Sequence, residues 1–269
     1  MPTSLDVYLL PSLVEPERIA GRTAVVIDVL RATTTIVHAL ASGAAEVRVC
    51  QEVDDARRFA ADYPGAVLAG ERGGLPIPGF QLGNSPLEFT PAAVGGKTVL
   101  FTTTNGTRAM ARCQGARRVL LAAFVNFSAI CRELSEELAS PSQSSPLAPR
   151  VDRQAGSLSH GVAIVCAGTD GEVTREDTLL AGAIVDDLAA HSGLKLSLND
   201  QAEIAADAWR SCRADLGGHD PLGRALRHSR GGRNLIEIGL ENDIAIAAEI
   251  DKFDLVPVLD LGTMRVTAA

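Results

Sequence analysis

Three stretches, near residues 24–27, 98–101 and 162–165, are apolar almost without interruption, and each runs into a polar loop and then a helical pattern. "TAVVIDVLRATTTIVHALASGA", "KTVLFTTTNGTRAMARCQGA" and "GVAIVCAGTDGEVTREDTLLAGAIVDDLAA" repeat this order of strand, loop and helix. Continuous rather than alternating apolar strands fit a sheet covered by helices on both faces. The expected fold is α/β: a layered α/β/α arrangement with a mixed sheet, its two related lobes forming one composite site. Ligands of open α/β sheets gather beyond the carboxyl ends of the strands. The three loops therefore belong on one functional edge, provided that their strands are parallel neighbours.

The pattern breaks once. Residues 139–160, within "ASPSQSSPLAPRVDRQAGSLSHG", are rich in Ser and Pro and lack apolar periodicity, so little burial would offset the entropy of ordering them. They are expected to be a flexible insertion between an N-terminal lobe, 1–138, and a C-terminal lobe, 161–269. At 269 residues and 46% hydrophobic content the chain can bury a substantial core. Its formal charge of -8 argues against a nucleic-acid binder, which would carry a basic stripe. No apolar run is long enough to span a bilayer, and the start lacks the pattern of a secretory signal, so a cytoplasmic protein is expected. Five cysteines with neither zinc-site nor CxxC spacing are expected to be reduced.

The loops carry the candidate chemistry. Asp28 and Arg31 occupy the first, with Thr33, Thr34 and Thr35 in the opening turn of the following helix; Thr102, Thr103, Thr104, Asn105, Gly106 and Arg108 form the second. Hydroxyls and unpaired backbone N–H groups at a helix start favour an anion, although one threonine would serve as an ordinary cap. Arginine suits phosphate or carboxylate because its fork binds two oxygens at once. Carboxylates lie close by in sequence: Asp28 ends a strand, Glu71 sits in "AGERGG", and Asp170, Glu172, Glu176 and Asp177 cluster in "GTDGEVTRED". Carboxylates beside anion cradles make sense if Mg2+ bridges them to a phosphate. Asp177 fits a helix capping box equally well, and Asp28 could instead pair with Arg31. "GGKTVLF" is no phosphate-binding P-loop, since residue 91 is proline and the lysine precedes a strand.

Five stretches in order, "DVLRATTTI", "GERGGLPIPGFQLGNSPLE", "TTTNGTRA", "CAGTDGEVTREDTLLAG" and "GGRNLIEIGLENDI", resemble the 2-phosphosulfolactate phosphatases of coenzyme M biosynthesis across essentially the whole chain. The resemblance implies a magnesium-dependent phosphoric monoester hydrolase, cytoplasmic and homodimeric, that converts 2-phospho-3-sulfolactate to 3-sulfolactate and phosphate. It assigns catalysis to Asp28, Arg31 and Arg108, and metal binding to Asp28, Glu71, Asp170 and Asp177. Substrate and phosphate binding would fall to Thr33, Thr34, Asn84, Ser85, Thr103, Thr104, Asn105, Gly106 and Arg233, with Arg72 a further arginine to grip an anionic end. Attack by a metal-oriented water and attack by a carboxylate such as Asp28 are both compatible with this set. A phosphatase for another phosphorylated hydroxy acid, or a non-catalytic phosphometabolite-binding protein, would use the same scaffold.

Overall fold

The computed structural model describes residues 3–139, 161–214 and 220–269. The three expected strands are present as Thr23–Ile27 (β2), Thr98–Thr102 (β6) and Gly161–Cys166 (β8), all but their first residues buried in β6 and β8 and all of β2 buried. They join Thr3–Tyr8 (β1), Glu46–Val49 (β3), Val67–Arg72 (β4), Leu75–Pro76 (β5), Arg118–Ala122 (β7), Leu196–Leu198 (β9), Pro257–Asp260 (β10) and Arg265–Ala268 (β11). Among the described residues these make one eleven-stranded sheet in the order β5-β4-β6-β3-β11-β10-β7-β2-β8-β1-β9.

Two runs of parallel strands, β7-β2-β8-β1-β9 and β3-β6-β4, are joined through the antiparallel pair β10 and β11. The halves of the chain are interleaved within this sheet. β8 inserts between β2 and β1, and β10 and β11 lie between β7 and β3, so the lobes expected at 1–138 and 161–269 share one sheet. The expected Ser/Pro-rich insertion falls outside the described residues, apart from Ala139, which ends the helix Phe127–Ala139.

The period of two along each strand sorts its side chains into layers. Val25 and Ile27 of β2, with Val162 and Ile164 of β8, face a core shared with Leu180, Ile184 and Leu188 of the helix Arg175–His191. Ala24, Val26, Ala163 and Val165 face the opposite way and meet Val47, Ala69, Val99 and Phe101 of the second strand run. Between the two runs lie Ile36 and Leu40 of the helix Ala32–Ala41 and Met110 of the helix Gly106–Arg112. We label these helices in chain order: Pro16–Ile19 (α1), Ala32–Ala41 (α2), Val53–Phe59 (α3), Pro91–Val94 (α4), Gly106–Arg112 (α5), Phe127–Ala139 (α6), Arg175–His191 (α7), Asp200–Ala214 (α8), Pro221–Arg227 (α9), Arg230–Glu237 (α10) and Asn242–Ala247 (α11).

β2 and β8 are parallel neighbours, as the shared-edge expectation requires, but β6 is five steps from β2 in strand order. Five spacings of a flat sheet span roughly 24 Å, whereas the four residues from Thr102 to Gly106 reach at most about 14 Å. Gly106 nevertheless lies against Asp28, so the sheet must fold over to bring the end of β6 to the end of β2. Folding of the sheet, rather than adjacency of the strands, assembles the site. Among the described residues no helix is long and apolar enough to cross a membrane. All five cysteines are buried, and none forms a disulfide among the described residues.

Candidate active site

A chamber of about 250 Å³ opens where the folded sheet brings the loops together, lined by Asp28, Arg31, Glu71, Gly74, Asn84, Thr103, Thr104, Asn105, Asp170, Gly231 and Asn234 among others. Asp28 follows the last residue of β2 and is buried, with its Oδ1 accepting a hydrogen bond from Ala32 N at 3.2 Å. Gly106 sits so near that a Cβ there would meet Asp28 Oδ2 at 2.7 Å and Ala32 Cβ at 2.5 Å. Burial pushes the Asp28 carboxyl up to about 7; Glu71 and Glu176 push it the same way, while the Ala32 amide and Arg31 pull it down. Such a group can take and return a proton near neutrality.

Glu71 also faces the chamber and binds two loops at once: Oε1 accepts from Thr104 N at 2.7 Å and Oε2 from Gly74 N at 2.8 Å. Arg31 forms a deeper tie. Its Nη1 donates to Asp243 Oδ2 at 2.8 Å and its Nη2 to the Gly74 carbonyl at 2.9 Å, while Ser85 Oγ donates to Asp243 Oδ1 at 2.6 Å. Side chains of Arg31 and Asp243 are 3% and 1% exposed, so neither charge has water as an alternative partner. Arg31 therefore presents a fixed positive charge to the chamber wall.

Several expected ligand groups are engaged elsewhere. Thr33 Oγ1 donates to Asp28 O, Thr34 Oγ1 to Val29 O and Thr35 Oγ1 to Asn84 O, at 2.8–2.9 Å. These hydroxyls serve the backbone of their own and a neighbouring loop rather than the chamber, a common fate for short polar side chains. Asp177, expected as a metal ligand, does not line the chamber; its oxygens accept from Val29 N at 2.9 Å and Gly168 N at 3.0 Å, pinning the end of β2 to the end of β8. Burial, with Glu176 and Asp28 nearby, raises its carboxyl well above the usual range. The hydroxyl of Ser85 is spent on Asp243. Gly106 contributes by its missing side chain, and Arg108 lies outside this chamber, exposed, in an adjoining cavity.

Arg233, expected at the substrate, does not line the chamber: α10 and the residue after it reach it through Gly231, Asn234, Leu235, Glu237 and Ile238, while Arg233 is exposed and donates to the His228 carbonyl. Asn84, Thr103, Thr104, Asn105 and Asp170 do line the chamber. Asn84 Oδ1 and Thr104 Oγ1 are buried polar atoms with no partner among the described residues. Asp170 N donates to Asn105 Oδ1 at 3.4 Å, and the Asp170 carboxylate meets Arg230 Nη2 at 3.4 Å.

Sequence reasoning missed Gly74, Asn234, Asp243 and the role of Glu176. Glu176 is buried, accepts from Gly231 N at 3.2 Å, and leaves Oε2 without a partner among the described residues. Its carboxyl is raised chiefly by burial. The spacing in "GGRNLIEIGL" could have identified Asn234; Asp243 and Glu176 depend on contacts with distant parts of the chain.

The family model described as 2-phosphosulpholactate phosphatase matches residues 8–262. A Deinococcus radiodurans protein described as a probable 2-phosphosulfolactate phosphatase is 43% identical over 259 residues, covering 96% of this chain and 94% of the relative. Proteins with the same description from Symbiobacterium thermophilum and Caldanaerobacter subterraneus are 40% and 34% identical, covering 91% and 97% of this chain and 94% and 97% of their own lengths.

Proposed function

This chain belongs to the 2-phosphosulpholactate phosphatase family, and from that premise we propose that it hydrolyses 2-phospho-3-sulfolactate to 3-sulfolactate and inorganic phosphate, with the 250 Å³ chamber receiving the phosphoryl group. The observation that carries the reading is Asp28: a buried carboxylate with its proton affinity raised to about 7, set on the chamber wall where the sheet folds over. Near neutral pH its ionised form orients an attacking water and takes the water's proton through Oδ2, Oδ1 being held by the Ala32 amide.

Arg31 contributes in two ways. Its guanidinium, fixed by Asp243 and the Gly74 carbonyl, keeps a positive charge beside the phosphoryl oxygens as negative charge develops on them. It also holds the Gly73–Gly74 turn and the Asn84–Ser85 turn in register, so the chamber's walls are set before substrate enters. Asn84 Oδ1 and the Thr104 hydroxyl, neither with a partner among the described residues, supply further polar groups.

The donor set fits a hard divalent cation such as Mg2+. Asp28 and Glu71 offer carboxylate oxygens, and Asn84 Oδ1 is a buried oxygen without a partner among the described residues. Also among the described residues, no three Asp, Glu, His or Cys side chains are gathered closely enough to hold a metal by themselves. Magnesium accepts that arrangement, because it commonly takes one or two carboxylates and fills its shell with water and phosphate oxygens. When bound, it would supply charge neutralisation at the phosphoryl group. The family resemblance extends the reading to a cytoplasmic homodimer acting in coenzyme M biosynthesis.

The test is phosphate release from 2-phospho-3-sulfolactate by the wild-type protein with magnesium and with EDTA, beside 3-phosphoglycerate. The reading expects release that needs magnesium and prefers the sulfonate substrate. No release from a folded protein would reject it, and release unaffected by EDTA would reject the metal alone.

A further inference from the structure

Thr103 and Thr104 border two cavities. Beyond them, away from Asp28, lies a second cavity of about 730 Å³, lined by Arg72, Arg108 and Arg112 with Glu52 as its one carboxylate. The chamber described above has the opposite composition: Asp28, Glu71, Asp170 and Glu237 against Arg31, whose two terminal nitrogens are already engaged.

The arginines of the second cavity differ in freedom. Arg72 is fixed, its Nη1 donating to Glu71 O at 2.8 Å and its Nη2 to Thr102 Oγ1 at 3.0 Å, and Arg112 Nη2 donates to Val14 O at 2.6 Å. Arg108 is exposed and makes no hydrogen bond or ion pair among the described residues. It stands two residues after Gly106, which lies against Asp28, so α5 carries the uncommitted guanidinium from a start that touches the reacting carboxylate of the neighbouring turn.

A substrate with a phosphate, a carboxylate and a sulfonate on three carbons poses a charge problem that these two cavities resolve. Placed wholly in the acidic chamber, its sulfonate would face four carboxylates with no uncommitted arginine. Beside the threonines, three arginines outnumber one glutamate. We propose that the arginine-lined cavity is the subsite for the sulfonate-bearing end of the substrate, and that Arg108 is its specificity-determining residue. This rests on the hydrolysis of 2-phospho-3-sulfolactate proposed above. Arg72 and Arg112 supply a fixed positive field, and Arg108 closes onto the sulfonate with charge-assisted hydrogen bonds.

Calorimetric titration of 3-sulfolactate, and of lactate as the analogue lacking the sulfonate, into wild type and Arg108→Gln separates this subsite from the chemistry. Loss of one charge-assisted contact corresponds to roughly ten- to hundredfold in affinity. Arg108→Gln should weaken 3-sulfolactate at least tenfold and lactate less than threefold, while Glu52→Gln, which removes the cavity's one carboxylate, should tighten 3-sulfolactate. Equal weakening of both ligands, unchanged affinity in Arg108→Gln, or no binding of 3-sulfolactate by wild type would overturn the subsite. An Arg108-dependent preference for 3-sulfolactate in a protein that releases no phosphate would uphold the subsite and reject only the hydrolysis. Circular dichroism of each variant establishes that the fold is retained, which the exposed and unpartnered Arg108 leads one to expect.

Discussion

The turns after β2 and after β6 are spelled alike, each with consecutive threonines and an arginine, yet they are used in opposite ways. After β2, Thr33, Thr34 and Thr35 bond to backbone carbonyls and Arg31 is locked to Asp243 and Gly74. After β6, Thr104 Oγ1 has no partner among the described residues and Arg108 is exposed and uncommitted. The first turn is a rigid frame for one carboxylate, Asp28. The second leaves the Thr104 hydroxyl and the Arg108 guanidinium over for a ligand. Residue type in a loop states which chemistry is possible, and the surrounding backbone decides whether that chemistry is left over for a ligand.

The sharpest way to break this contrast is to treat the two arginines identically. Arg31→Gln leaves the Asp243 carboxylate buried and unpaired, so chemical denaturation should show a loss of about 3–5 kcal/mol. Arg108→Gln should stay within about 0.5 kcal/mol of wild type, as exposed substitutions usually do. Similar losses for both would erase the distinction between frame and surface.

Asp28 offers a pH-dependent test of the frame, best made in EDTA. Its carboxyl is raised from 3.8 to about 7, so the folded state holds that proton more tightly than the unfolded state does. Stability from this group is therefore present below about pH 4, is lost as pH rises towards 7, and changes no further above. The slope can reach on the order of 1.4 kcal/mol per pH unit in that window. Asp28→Asn removes the titration, so its Tm relative to wild type should climb between pH 5 and pH 8. A relative Tm that falls over this range would mean that Asp28 is stabilised as an anion.

Gly106 joins the two turns. Gly106→Ala places a methyl group 2.5 Å from Ala32 Cβ and 2.7 Å from Asp28 Oδ2, so one turn must move away from the other. Overpacking of this kind costs about 1–3 kcal/mol, and thermal melts together with a lowered kcat should reveal it. The smallest effect is expected from Thr34→Val, which keeps the shape and removes the bond to Val29 O. It should cost roughly 1 kcal/mol in a denaturant melt and change kcat by less than about threefold. A large fall in kcat with unchanged stability would return Thr34 to the ligand.

Much of the layering was legible in the sequence because continuous apolar strands admit few alternatives. β2, β6 and β8 lie where the apolar runs place them, and Asp28, Glu71, Asn84, Thr103, Thr104, Asn105 and Asp170 all reach the chamber. What could not be read was partnership across the fold. Asp177 looked like a ligand because one of its two amide partners, Val29 N, is 148 residues away, the other being Gly168 N in the loop before its own helix. Asp243 was overlooked for the same reason, being 212 residues from Arg31. Arg233, which the resemblance placed at the substrate, is exposed on α10 and is not among the residues that line the chamber.

The central claim, that Asp28 does the chemistry in a chamber framed by its own turn, is tested most directly by phosphate release from 2-phospho-3-sulfolactate in wild type and Asp28→Asn at saturating magnesium. The account predicts a fall in kcat of about a hundredfold or more, with circular dichroism unchanged, since general acid–base catalysis contributes on the order of 10²–10⁴. Activity within tenfold of wild type in Asp28→Asn would contradict it.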